Sequence, residues 1–396
     1  MNIERRPLLL GLASLMSAGQ SRLALANGPA GDKRLVIVLL RGAMDGLSAV
    51  PAYGDPDFRA LRGALALPEP GQEGGVLDLG GRFGMHPALP KLHALFKANQ
   101  AMVVHAVAGP WRSRSHFEAQ DMLESGAAQR LHDGWLNRAI ATMPAEAQGG
   151  AARRGIAIGP DLPLMMRGPA RVGSYAALAD SEADTQTLAL LARWHAGDAQ
   201  LGPAFAEGLR ARGFSTAVLA GQEPPPRGTN GFVALAGAAG RLLADPRGPR
   251  IAAMETGGWD THGSQAVRIA AALRTLDDGL DALRLGLGPA WADTAILVMT
   301  EFGRTARING TMGTDHGTAG AAFLLGGAVR GGRVLADWPG LSPQRLFENR
   351  DLAPTLDLRR VAKGLLSEHL GLGGPALRRS FPASDDAPPL PGLVGG

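Results

Sequence analysis

Short apolar runs without a polar break punctuate this sequence, and helical patterns fill the intervals between them. Residues 35–40 read LVIVLL and residues 294–300 read TAILVMT. A strand with one wet face alternates apolar and polar residues, so an unbroken run belongs to a strand covered on both faces. Further strands are predicted over 102–107, 156–158, 250–254 and 321–325, and helices over 87–98, 117–124, 185–196, 231–244, 265–285 and 356–370. Strands alternating with helices predict an α/β fold, a doubly wound and mostly parallel sheet with helices on both faces. One domain over 32–381 follows, with a Gly- and Pro-rich excursion at 51–85 and a mostly helical insertion near 160–230. The tail 382–396 (PASDDAPPLPGLVGG) is poor in core-forming residues and predicts disorder.

The first 26 residues follow a different pattern. Arg5-Arg6 precedes an apolar stretch from Leu8 to Met16, and Ala24-Leu25-Ala26 forms a small-x-small cleavage site. This predicts a signal peptide cut after Ala26. The paired arginines point to the twin-arginine export machinery, although Pro7 and Leu8 after the pair also suit general secretion. The expected location is periplasmic or otherwise exported. The apolar stretch is too short for a stable membrane span. Removing the leader takes Arg5, Arg6 and Arg22 but only Glu4 from a chain of net charge +4, so little positive excess is left. A balance that small makes no nucleic-acid footprint. The chain has no cysteine, which excludes disulfides and thiolate chemistry and leaves any metal to His and carboxylate ligands.

In open parallel sheets, ligands sit at the carboxyl edge, where strands give way to loops. Asp45 follows the first apolar run. Asp260 and His262 follow the run at 250–254, Glu301 and Arg304 follow TAILVMT, and Asp315 and His316 precede the run at 321–325. A lone loop Asp is usually a turn former. Four strands delivering carboxylates and imidazoles to one edge predict a metal centre, with one or two divalent ions such as zinc or manganese. A pair of such ions can clamp the oxygens of a phosphoryl or sulfuryl transfer. A fifth segment, Arg112-Ser113-Arg114-Ser115-His116, opens the helix at 117–124. A helix N-terminus suits an anionic oxygen, so Ser115 reads as a nucleophile with Arg112 or Arg114 holding the substrate anion. Ser115 with Glu118 three residues on reads equally as a capping box.

The motifs RGAMDGLSAV (41–50), GRFGMHPALP (81–90), SRSHFEAQDMLESG (113–126), GWLNRA (134–139), GGWDTH (257–262), TEFGRT (300–305) and TDHGTAG (314–320) resemble the bacterial domain-of-unknown-function family 1501, as does the stretch 351–372. That family is placed in the alkaline-phosphatase-like superfamily, beside phosphatases, sulfatases and phosphoglycerate mutases. The resemblance implies Asp45, Asp260, His262 and His316 as metal ligands, and Ser115 or Ser113 as the nucleophile. Where the superfamily has Asp-His, this chain has Glu301-Phe302, so one imidazole ligand is missing and His116 or Asp315 stands as its substitute. Two functions follow. One is a metal-dependent hydrolase of small anionic phosphate or sulfate esters, with Arg114 and Arg304 on the transferred group. The other is a non-catalytic periplasmic protein that binds a ligand or partner at a degenerate site.

Overall fold

The computed structural model describes residues 32–143, 154–176, 185–199, 201–221 and 230–395. The expected signal peptide lies outside them. The strands are β1 (Arg34–Leu40), β2 (Leu77–Asp78), β3 (Gly84–Met85), β4 (Ala101–Ala108), β5 (Gly155–Ile158), β6 (Gly173–Tyr175), β7 (Ile251–Thr256), β8 (Thr294–Thr300), β9 (Gly320–Leu325), β10 (Val334–Leu335) and β11 (Leu356–Asp357). Among the described residues, nine of them form one sheet in the order β10-β4-β9-β8-β1-β7-β5-β6, with β11 also on β4. Only β9 runs antiparallel to its neighbours, so the α/β class and the mostly parallel sheet expected from the apolar runs are what the chain adopts.

The unbroken runs are explained by cover on both faces. Val36, Val38 and Leu40 of β1 face one core, which the helices Pro90–Lys97, Gly231–Ala244 and Gln265–Leu287 help to close. Leu35, Ile37 and Leu39 face the other, closed by the helices Trp135–Thr142, Leu358–Gly364 and Gly374–Ser380. Every residue of β1 and β8 is buried. Because β9 is antiparallel, the residues just before it share an edge with those just after β1, β4, β7 and β8. Five loops therefore meet there.

The segment near 160–230 first adds Gly173–Tyr175 to the sheet as the edge strand beside β5. The helices Thr185–His195 and Leu201–Leu219 follow it. The tail expected to be disordered is docked as far as residue 395. Leu393 is fully buried, Val394 bridges Val329, and the Glu368 carboxylate accepts the N–H groups of Gly392, Leu393 and Val394. A few apolar residues suffice for docking once a carboxylate satisfies the backbone beside them. Among the described residues, no helix is long and apolar enough to cross a membrane.

Candidate metal centre

The loop after β1 approaches the loop after β7 so closely that only glycine fits between them. Gly42 has φ of +120°, and a Cβ there would lie 2.8 Å from the Asp260 nitrogen. Arg304, buried after β8, ties the loops together. Its Nε donates to the Ala43 carbonyl at 2.8 Å, Nη1 to Thr314 at 3.0 Å, and Nη2 to Gly42 at 2.9 Å and to the Asp260 carboxylate.

This packing brings His116, Asp260 and His316 together, with one ligand atom of each within 4.8 Å of the others. The Nε2 atoms of His116 and His316 are 3.0 Å apart. Asp260 Oδ1 lies 3.3 Å from His316 Nε2, and Asp260 Oδ2 lies 3.5 Å from His116 Nε2. His262, more exposed, adds its Nε2 at 3.0 Å from His316 Nε2 and 2.9 Å from Asp260 Oδ1. A tetrahedral ion with bonds of about 2.0–2.1 Å keeps its donor atoms about 3.3 Å apart. The measured separations bracket that value.

The second nitrogen of each ring decides what these contacts mean. His116 Nδ1 donates to Glu301 Oε1 at 2.8 Å and His316 Nδ1 donates to the Arg114 carbonyl at 2.7 Å. His262 Nδ1 faces Asp315 Oδ1 at 3.3 Å. With the proton held on Nδ1, a neutral His116 and a neutral His316 each present a bare Nε2 lone pair toward the Asp260 carboxylate, while His262 lies outside the group whose ligand atoms are all within 4.8 Å of one another. Lone pairs at 3.0 Å repel unless a cation lies between them. A single proton can bridge one pair; an ion with several bonds can serve them all.

The surroundings shift the three groups differently. The Glu301 hydrogen bond raises the His116 pKa above its ordinary value, against desolvation. Burial lowers that of His316. Burial pushes Asp260 up, but the Arg304 guanidinium outweighs it and holds the carboxyl below the usual range.

Several expected ligands take other roles. Glu301 is 2% exposed and its oxygens are occupied: Oε1 accepts from His116, Gly42 and Gln120, and Oε2 from Thr300. It orients His116 instead of meeting an ion. Phe302 stacks on His116 with ring centroids 5.0 Å apart, so an apolar ring closes the side where the resemblance implies an imidazole. Asp315 orients His262 and accepts from Asn309. Arg304 is spent within the protein, and Arg114 is held through Nε and Nη2 by Asp351 and Glu348. Ser115 begins the His116–Ser125 helix with an exposed side chain that makes no capping bond. The capping box expected with Glu118 is therefore not formed, and Ser113 Oγ donates to Glu118 at 2.6 Å instead. Arg112 uses Nη1 on the Gly109 and Trp111 carbonyls, and no other of its nitrogens hydrogen-bonds among the described residues.

Asp45 is the largest departure. It caps the short helix Gly46–Ala49 through the N–H groups of Leu47 and Ser48, is 1% exposed, and pairs with the fully buried Arg62. Ser48 Oγ at 2.8 Å and Gln265 Nε2 complete its shell. Burial pushes its pKa up, but Arg62 and these hydrogen bonds prevail and hold it below the usual range. Both oxygens are taken, and the carboxylate stands outside the His116, Asp260 and His316 group. The sequence reading missed Arg62 and Gln265, which no motif marks. It also missed Gln120, which the four-residue spacing from His116 places on the same helix face.

A family model described as "Protein of unknown function (DUF1501)" matches residues 90–379, and the chain belongs to that family. No curated protein matches it. Among solved structures it is similar to the phosphonate monoester hydrolase of Agrobacterium radiobacter, at 13% identity and a TM-score of 0.39, covering 86% of this chain and 74% of the other. A protein in the alkaline phosphatase superfamily from Vibrio parahaemolyticus matches at 12% identity and TM-score 0.33, covering 74% and 60%. The zinc complex of the C-terminal periplasmic domain of EcEptC from Escherichia coli matches at 10% and 0.31, covering 75% and 74%. These likenesses are distant.

Proposed function

Starting from a family whose function is unknown, we propose that this chain is an exported hydrolase of phosphate or sulfate esters with an alkaline-phosphatase-like site that works with a single divalent ion, zinc, manganese or similar. The observation that carries the reading is the convergence of the His116 and His316 Nε2 atoms on the Asp260 carboxylate, each ring held by a partner at Nδ1. His116, Asp260 and His316 would hold the ion, with His262 beside Asp260. One ion, not two, follows from Asp45, whose charge Arg62 already balances. When bound, such an ion supplies Lewis acidity to an oxygen of the transferred group and eases deprotonation of a hydroxyl beside it.

The chain's own residues do the rest. Ser115 offers an exposed hydroxyl at a helix start, where unpaired N–H groups favour a developing negative charge. Arg112 keeps donors for the ester's remaining oxygens. Glu301 holds the His116 proton on Nδ1, and Phe302 shields that ring from water. The commitment of Arg114 and Arg304 inside the protein favours a second reading, a protein that binds an anionic ligand or partner without turning it over.

Screening the ion-loaded protein against aryl phosphate and sulfate esters separates the two. The hydrolase reading expects turnover that Ser115→Ala reduces by two orders of magnitude or more, with the ion retained. A loaded protein that hydrolyses no ester supports the binding reading. The export reading expects mature protein in the periplasmic fraction, beginning at Asn27 and accumulating as precursor when the twin-arginine machinery is blocked. Uncleaved protein in the cytoplasm overturns it.

A further inference from the structure

His316 is gripped from both ends by one short segment. Residues 347–351 make a tight turn, with φ of 53° at both Glu348 and Asn349 and a bridge between Phe347 and Asp351. From this turn Arg350 Nη2 donates to the His316 carbonyl at 2.8 Å. Asp351 is fully buried, and its Oδ2 accepts Arg114 Nε at 3.1 Å, Arg114 Nη2 at 2.7 Å and Thr318 Oγ1 at 2.9 Å. Arg114 in turn supplies the backbone carbonyl that takes the His316 Nδ1 proton.

A buried carboxylate is an expensive way to hold a turn, and a polar uncharged residue would serve the turn alone. Among the described residues Asp351 Oδ1 has no hydrogen-bond partner, and Arg350 Nη1 lies 3.4 Å from it, so the packing does not fully satisfy the group. Its satisfied oxygen is spent on Arg114, whose carbonyl takes the His316 Nδ1 proton, and on Thr318, which follows His316 closely in the chain. We propose that Asp351 is a positioning residue for the ion: by anchoring Arg114 it fixes the carbonyl that selects the His316 tautomer, and so aims the Nε2 lone pair. Without that carbonyl the imidazole samples both tautomers, and one of them puts N–H where the ion needs a lone pair.

The inference rests on the single-ion reading, and the experiment separates the two. Zinc affinity is measured by chelator competition, and the ligand field by the visible absorption of the cobalt(II)-substituted protein. Asp351→Asn is expected to bind zinc about 10–100-fold more weakly than the wild type and to change the cobalt spectrum. Asp277→Ala removes another buried carboxylate, one that accepts the N–H groups of Lys91 and Leu92. It is expected to lose stability with no change in zinc affinity. Should Asp351→Asn fail to fold, the double variant Asp351→Asn with Arg114→Gln removes both charges of the Asp351–Arg114 pair, and it too is expected to bind zinc weakly. Wild-type affinity in either Asp351 variant overturns the proposal, as does an equal loss in Asp277→Ala. A wild-type protein that takes up no ion overturns the single-ion reading and this inference with it.

Discussion

Asp45 and Asp260 both follow a central strand onto the same edge of the sheet, yet their surroundings differ completely. Asp45 is sealed, with a guanidinium, an amide and a hydroxyl filling its shell. The Asp260 side chain is 44% exposed and faces three imidazole nitrogens, with one fixed cation, Arg304, behind it. The same residue type at equivalent places becomes a structural cap in one case and a candidate ion ligand in the other. What separates them is whether the chain supplies its own cation. Arg62 does so for Asp45. Arg304 does so only in part for Asp260, because the His116 and His316 nitrogens beside it remain unanswered.

The largest expected effect tests the sealed half. Arg62→Met leaves Asp45 buried without its counter-charge and should cost about 3–5 kcal/mol in urea unfolding. A loss below 1 kcal/mol would mean that Asp45 is not sealed by Arg62. Next comes a contrast between the halves. His316→Ala should weaken zinc binding by more than the roughly 100-fold that outer partners command, while Asp45→Asn leaves it within about threefold. Equal losses would erase the distinction drawn here.

A smaller effect belongs to Glu301. Glu301→Gln keeps the shape but weakens the grip on the His116 Nδ1 proton, and should lower zinc affinity about 10–100-fold with the fold intact, as read by circular dichroism. The smallest is a pH trend. His116 has a raised pKa in the ion-free protein, so its charged form stabilises the fold. That contribution is fully present below about 6.5 and is lost as pH rises through the folded value. Melting of the chelator-treated protein should therefore fall slightly as pH rises above 6.5. Glu301→Gln should flatten the trend, and an unchanged slope would detach His116 from Glu301.

The architecture was legible because a strand buried on both faces needs an unbroken apolar run, and LVIVLL and TAILVMT are such runs. The edge that carries the chemistry was legible for the same reason, since polar residues just past a run must lie at the sheet's end. Roles within the edge were less so. Glu301 and His116 are 185 residues apart, and nothing local reveals that one carboxylate would orient an imidazole and not bind an ion itself. Asp45 misled because its partner Arg62 comes from a Gly- and Pro-rich excursion without periodic pattern. The tail misled because composition measures how much apolar surface a segment has, not whether a waiting groove and Glu368 can hold it.

The most direct test is the metal content of the purified protein, measured by elemental analysis beside Asp260→Ala, His316→Ala and Asp45→Asn. The account predicts one equivalent of zinc or manganese per chain, lost in the first two variants and kept in the third. No ion, with none taken up on adding divalent metals, would contradict it. So would two equivalents of which Asp45→Asn loses one.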